Sequence, residues 1–171
     1  MLRGLVWLLA FSMILGCAGS RKDVVMYPQD RLMLADNLAS QGKCSKAIMH
    51  YEKVLSEFPP PDVAERARFN LARCQMKLEN YETAIQNFEE FRTSFPKSDL
   101  VDDAIYLMAV CYKAQAPRAE RDQRKTVEAL KLVELLLRDY PESNVRTEAQ
   151  QLLKECRSRL AHKDFLNGEL Y

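Results

Sequence analysis

The sequence predicts an all-α fold, a solenoid of antiparallel helix pairs, on two observations. The first is a scarcity of turn residues. The 171-residue chain holds five glycines and seven prolines, and Gly42 is the one glycine between residues 20 and 167. Both residues are costly in helix interiors, so long stretches without them allow long helices. A barrel or sandwich of short strands would need turn signals far more often. The second observation is an internal repeat. Phe58-Pro59-Pro60-Pro61-Asp62-Val63, Phe95-Pro96-Lys97-Ser98-Asp99-Leu100 and Tyr140-Pro141-Glu142-Ser143-Asn144-Val145 each run aromatic, proline, polar turn, aliphatic, and then into a helix. The prolines lie 37 and 45 residues apart, and Ala35, Ala72 and Ala109 are spaced by 37 and 37. A period of roughly 20–50 residues marks a repeat array.

The first sixteen residues stand apart. Arg3 supplies a positive start, and residues 5–15 form a largely apolar stretch of eleven. That is too short for a membrane-spanning helix, which needs about 20 residues, and it has the length of a secretory signal. Ile14-Leu15-Gly16-Cys17 resembles the lipobox of bacterial lipoproteins. The resemblance implies cleavage before Cys17 and lipid chains, palmitate among them, on that residue. Ala18, where Asp would hold a lipoprotein at the inner membrane, implies the outer membrane. An ordinary cleaved signal that happens to contain a cysteine is the plainer alternative. Residues 17–27 then form a lipidated tether that spans at most about 35 Å when extended.

The rest, residues 28–171, divides into repeats of about 28–60, 61–97 and 98–142 and a partial repeat over 143–171. In the first, Ala35 sits in the leading helix, Gly42 in the turn, and Ala47, Tyr51, Val54 and Leu55 at helical spacing in the second helix, which Pro59 closes. The second repeat places Ala72, Tyr81, Ala84, Phe88, Phe91 and Pro96 in the same order, and the third places Ala109, Ala129, Val133, Leu136 and Pro141. Apolar steps of three and four, as in Ile85, Phe88 and Phe91, are those of a helix with one buried face. Ser98 or Asp99 and Ser143 or Asn144 are N-cap candidates for the following helices. The third repeat carries about eight extra residues as a charged loop over 114–125, either functional or merely solvated. After Pro141 a helix is expected from about Val145 to His162.

This unit resembles the tetratricopeptide repeat, nominally 34 residues of helix–turn–helix closed by Pro. The repeat is degenerate: Glu79 stands where Gly is usual and Cys44 where Tyr is usual. The lipobox, the aromatic-Pro junctions, and the loop Ala119-Glu120-Arg121-Asp122-Gln123 before Leu137-Arg138-Asp139-Tyr140-Pro141-Glu142-Ser143 together resemble the outer-membrane assembly lipoprotein BamD family over roughly residues 14–171. That resemblance implies a lipid-anchored scaffold on the periplasmic face of the outer membrane of a Gram-negative bacterium. The implied partners are a BamA-type barrel assembly protein, other Bam lipoproteins, and outer-membrane protein client peptides. The family has about five repeats against the three and a half read here, so the chain reads as short at its C-terminus. A tetratricopeptide lipoprotein of another envelope machine, a type IV pilus pilotin or a Tol-Pal-associated protein, is the nearest alternative, and a regulatory subunit of an envelope enzyme is a more distant one.

The residues point to binding rather than catalysis. His50 and His162 are isolated, and no second ligand stands near either at metal spacing. No glycine-rich phosphate loop is present in the sequence. Neither an enzyme activity nor a metal or other cofactor is expected beyond the lipid on Cys17. Lys plus Arg number 25 and Asp plus Glu 24; a net charge near zero gives no reason to expect nucleic acid as a partner, since that needs a clustered basic surface. Cys44, Cys74, Cys111 and Cys156 read as small buried core residues, with a disulfide between neighbouring helices or, more remotely, a metal site as alternatives. In tetratricopeptide arrays the leading helices line the binding face, which carries Asp36, Ser40, Arg66, Phe69, Arg73, Met76, Lys77, Asp103, Tyr106, Val110 and Lys113 into that face here. Arg66, Phe69, Arg73, Lys77, Tyr106, Val110 and Lys113 are the candidate partner-binding residues. Cations interleaved with aromatics suit a peptide that ends in an aromatic residue and a free carboxylate.

Overall fold

The computed structural model describes residues 26–116 and 122–168. Seven helices follow in order: α1 (Pro28–Ser40), α2 (Cys44–Ser56), α3 (Pro61–Lys77), α4 (Tyr81–Ser94), α5 (Val101–Gln115), α6 (Arg124–Asp139) and α7 (Arg146–Gly168). Each packs against its neighbour in sequence, and α1 also touches α3 and α5 touches α7. No strand occurs among the described residues. The last helix runs six residues past the expected His162. The expected signal stretch and Cys17 lie outside the described residues, as does part of the third-repeat loop.

Small residues set how closely the helices approach. Ala35, Ala47, Ala67, Ala72, Ala84, Ala104, Ala109, Ala129 and Ala149 are all fully buried. An alanine at the contact lets two backbones come near, and larger side chains fill the space on either side. Leu32, Tyr51, Val54, Val63 and Leu71 gather around the first helix pair. Phe69, Phe88, Phe91, Ile105, Val133 and Leu136 form a larger core further along. The two cores meet on α3, which turns Val63, Ala67, Leu71 and Cys74 toward one and Phe69 and Ala72 toward the other. Each fully buried Leu, Val or Phe adds about 1.5–3 kcal/mol relative to exposure.

The turns inside the first two pairs are the same device. After α1 the Lys43 amide donates to the Leu38 carbonyl and the Gly42 amide to that of Ala39; after α3 the Asn80 amide donates to Gln75 and the Glu79 amide to Met76. Both are Schellman closures, which need a left-handed residue just past the helix. Gly42 supplies it with φ 75° and Glu79 with φ 62°. The third pair departs from this: α5 ends on an extended Ala116 and the longer loop follows.

The second and third junctions are tied by serines, two positions further out than a helix cap. The Ser98 hydroxyl accepts the Leu100 amide at 3.1 Å and the Ser143 hydroxyl accepts the Val145 amide at 3.2 Å. They shape the turn before α5 and α7 rather than capping the helix itself, because the residue at the helix threshold is Leu100 in the first case.

Candidate functional site

The odd-numbered helices place their polar residues along one continuous face, and hydrogen bonds and charges link them in order. On α1, the Asp36 carboxylate accepts from the Tyr51 hydroxyl at 2.7 Å, the Arg66 guanidinium at 2.7 Å and the Asn70 amide at 2.9 Å. Tyr51 is completely buried, so its hydroxyl requires a partner there. Burial, and then the bond to Asp36, push the Tyr51 phenol well above its ordinary pKa of 10.0. One carboxylate thus ties α1, α2 and α3 together. Arg66 and Asn70 lie one turn apart on α3, which lets them reach the same acceptor.

Beside this network lies a hollow of about 240 Å³ lined by Asp36, Tyr51, Arg66, Asn70, Arg73, Cys74 and Lys77 among others. Three cations face it against a single carboxylate. Asp36 neutralises Arg66. Arg73 instead stands with its guanidinium carbon 5.9 Å from the centre of the Phe69 ring. The hollow is therefore electropositive, as a site for an anionic group requires.

The face continues onto α5 and α7. Burial raises the Asp103 carboxyl, with Asp102 adding to the shift and Arg73 opposing it, so α3 and α5 meet in charge. Burial also raises the Tyr106 phenol, with Glu148 of α7 next in effect. Lys113 is ion-paired with Glu155, and that bond, with another from Gln151, holds the Glu155 carboxyl below its ordinary value. A second cavity of about 620 Å³ opens there, lined by Lys113, Gln151, Lys154, Glu155, Arg159 and His162 among others.

The structure brings Arg66, Arg73 and Lys77 to one hollow. Tyr106 and Lys113 lie further along the same line, and Val110 is half-buried against the larger core. Phe69 departs from the expectation. Its ring is 6 % exposed and packs against Phe88 and Phe91, with centroids 5.8 and 5.3 Å away. The α3 helix directs that position inward, so Phe69 carries Arg73 from beneath and offers no surface of its own. Sequence reading missed Asn70 and the acidic residues of α7. Asn70 had a signal, being one turn from Arg66 on the same face; the pairing of Lys113 with Glu155 spans 42 residues and left none.

All four described cysteines are free and buried. Burial pushes the Cys111 thiol from 9.0 up to about 11. It also raises that of Cys74, with the nearby Cys44 thiol as the next cause. In the loop before α6, Asp122 pairs with Arg124, while Gln123 is buried and its side-chain oxygen accepts the Thr126 hydroxyl at 2.6 Å. The conspicuous Asp-Gln of the loop therefore holds the start of α6.

Among solved structures, the fold is similar to the Yersinia enterocolitica type III secretion translocator chaperone SycD, with TM-score 0.61 and 18 % identity over 77 % of this chain and 92 % of that one. It is also similar to MamA 41-end from Desulfovibrio magneticus RS-1, with TM-score 0.54 and 17 % identity over 83 % of this chain and 76 % of that one. Both support the tetratricopeptide-type array of helix pairs. In sequence, the chain is 26 % identical to the outer membrane protein assembly factor BamD of Caulobacter vibrioides, over 92 % of this chain and 53 % of that protein. It is 25 % identical to the BamD of Vibrio cholerae, over 96 % of this chain and 73 % of that protein. The chain thus spans about half the length of the Caulobacter relative. Residues 28–171 match the family described as YfiO, outer membrane lipoprotein, and with that match covering most of its length the chain belongs to this family.

Proposed function

We propose that this protein is a lipid-anchored periplasmic scaffold of the outer-membrane β-barrel assembly machinery, which binds partner subunits and unfolded outer-membrane protein clients and makes no covalent change to them. Its family and the names of its relatives support the assembly role. Cys17 is the anchor, held by lipid chains that each add about 0.8 kcal/mol per buried methylene. A BamA-type protein and other lipoproteins of the machinery are the partner subunits.

The observation that carries the client reading is the hollow on α3, where Arg66, Arg73 and Lys77 face a single carboxylate. A peptide's terminal carboxylate gains charge-assisted bonds there. With Phe69 inside the core, the half-buried Tyr106 on α5 is the ring left to meet an aromatic side chain. The test is binding of a C-terminal outer-membrane barrel peptide to the full chain and to an Arg73→Glu, Lys77→Glu double variant. Charge-assisted bonds are each worth roughly 1.5–3 kcal/mol, so the variant should bind at least about tenfold more weakly. Amidating the peptide's carboxylate should weaken the wild type similarly. Unaltered binding in the variant would remove the client role from this hollow.

A further inference from the structure

The aromatic that closes each repeat behaves differently in the first. Phe95 and Tyr140 have nearly the same backbone, φ −128° and −126°, and both pack on the larger core. Phe58, at the same place in the motif, has φ 49° and is 96 % exposed. The cause lies in the junction. Val101 opens α5 and Arg146 opens α7 six residues after their aromatics, whereas Pro61 opens α3 three residues after Phe58. Pro59 directly follows Phe58 and keeps it out of the right-handed helical region. A bulky residue held in the left-handed region is strained, and this one is turned wholly into solvent.

Phe58 is not alone at that end. α1 and α2 run antiparallel, and Arg31 near the start of α1 pairs with Glu57 at the end of α2 at 3.7 Å. Tyr27, whose carbonyl accepts the Arg31 amide, is 73 % exposed. The same edge of the array thus shows two large bare rings. Lys53 also pairs with Glu57 at 3.5 Å, so the carboxylate beside Phe58 is neutralised from both sides. Tyr27 lies ten residues after Cys17, a stretch that reaches at most about 35 Å.

We infer that this edge rests on the bilayer: Tyr27 and Phe58 insert their rings into the lipid interface and fix how the array stands on the membrane. The inference rests on the lipid anchor at Cys17 proposed above. A tether this short holds the edge near the headgroups, and aromatic rings are favoured at that depth. A lipid anchor on one residue sets distance from the membrane but no orientation; two rings at one edge supply the orientation.

The sequence provides a clean reporter. Trp7 is the one tryptophan, and it lies in the leader. A processed Phe58→Trp variant therefore carries a single indole. The full chain would be expressed with its leader, purified, and placed in phosphatidylethanolamine–phosphatidylglycerol vesicles with or without brominated acyl chains. Phe165→Trp, at an exposed site on the last helix, serves as the distant control. Mass spectrometry of the Cys17 peptide reads the anchor separately. The expected result is a lipidated Cys17, a blue-shifted Phe58→Trp emission that brominated lipid cuts about twofold, as suits a ring roughly 5–10 Å deep, and no quenching in the control. A lipidated Cys17 with the Phe58→Trp indole in water overturns the inference and leaves the anchor standing. Equal quenching in both variants overturns it as a property of this edge. An unlipidated Cys17 overturns the anchor and the inference with it.

Discussion

At Tyr51 and the buried thiols of Cys74, Cys111 and Cys156, the fold holds acids in their neutral form. Asp36 accepts from three side chains on two other helices, and the buried Tyr51 hydroxyl depends on it. A charged hydrogen-bond acceptor of this kind is worth roughly 1.5–3 kcal/mol. A raised pKa in the folded state means that the unfolded chain gives up the proton first as pH rises. The stability from such a group is complete below its unfolded pKa and is lost as pH climbs through the folded value. For Cys111, raised from 9.0 to about 11, that window is pH 9 to about 11, and its loss amounts to roughly 2–3 kcal/mol. Tyr51 acts in the same direction above pH 10. The urea midpoint should stay flat to about pH 8.5 and then fall. A Cys111→Ala variant should fall less steeply between pH 9 and 11, and a slope parallel to wild type would show that the Cys111 thiol is not held neutral by burial.

The helices themselves were legible in the sequence because period and punctuation agreed. Ala35, Ala72 and Ala109 marked the close contacts, and the prolines marked the junctions. Less legible was what required a distant partner. Phe69 has the type and spacing of a surface aromatic, yet Phe88 and Phe91, some twenty residues on, draw it into the core. Gln123 reads as a loop residue until Thr126 is seen to bond to it. Glu79 could be read, and the structure gives its consequence. It holds φ 62° at the position where Gly42 serves in the first turn. A non-glycine residue in that region costs about 1–2 kcal/mol, part of which glycine's extra freedom when unfolded offsets. Glu79→Gly should therefore stabilise the protein by about 0.5–1 kcal/mol, visible as a rise of a few degrees in Tm. A lower Tm would show that the Glu79 side chain contributes something beyond its backbone angle.

Seen whole, the molecule is a short array whose faces differ in chemistry. The odd helices carry the linked cations and carboxylates, α3 joins two cores, and the first repeat exposes its closing ring where the others pack theirs, half-buried, on the core. Nothing in that arrangement required the sequence to name a partner: repeat arrays of this type present binding faces to many proteins, and the family match is what points this chain to outer-membrane assembly. The proposed service in the barrel assembly machinery makes one direct prediction. Cross-linking of the intact protein in living cells, followed by identification of the captured proteins, should recover the central BamA-type barrel assembly protein together with unfolded outer-membrane barrels. Recovery of a pilus secretin, with no barrel assembly protein, would contradict it.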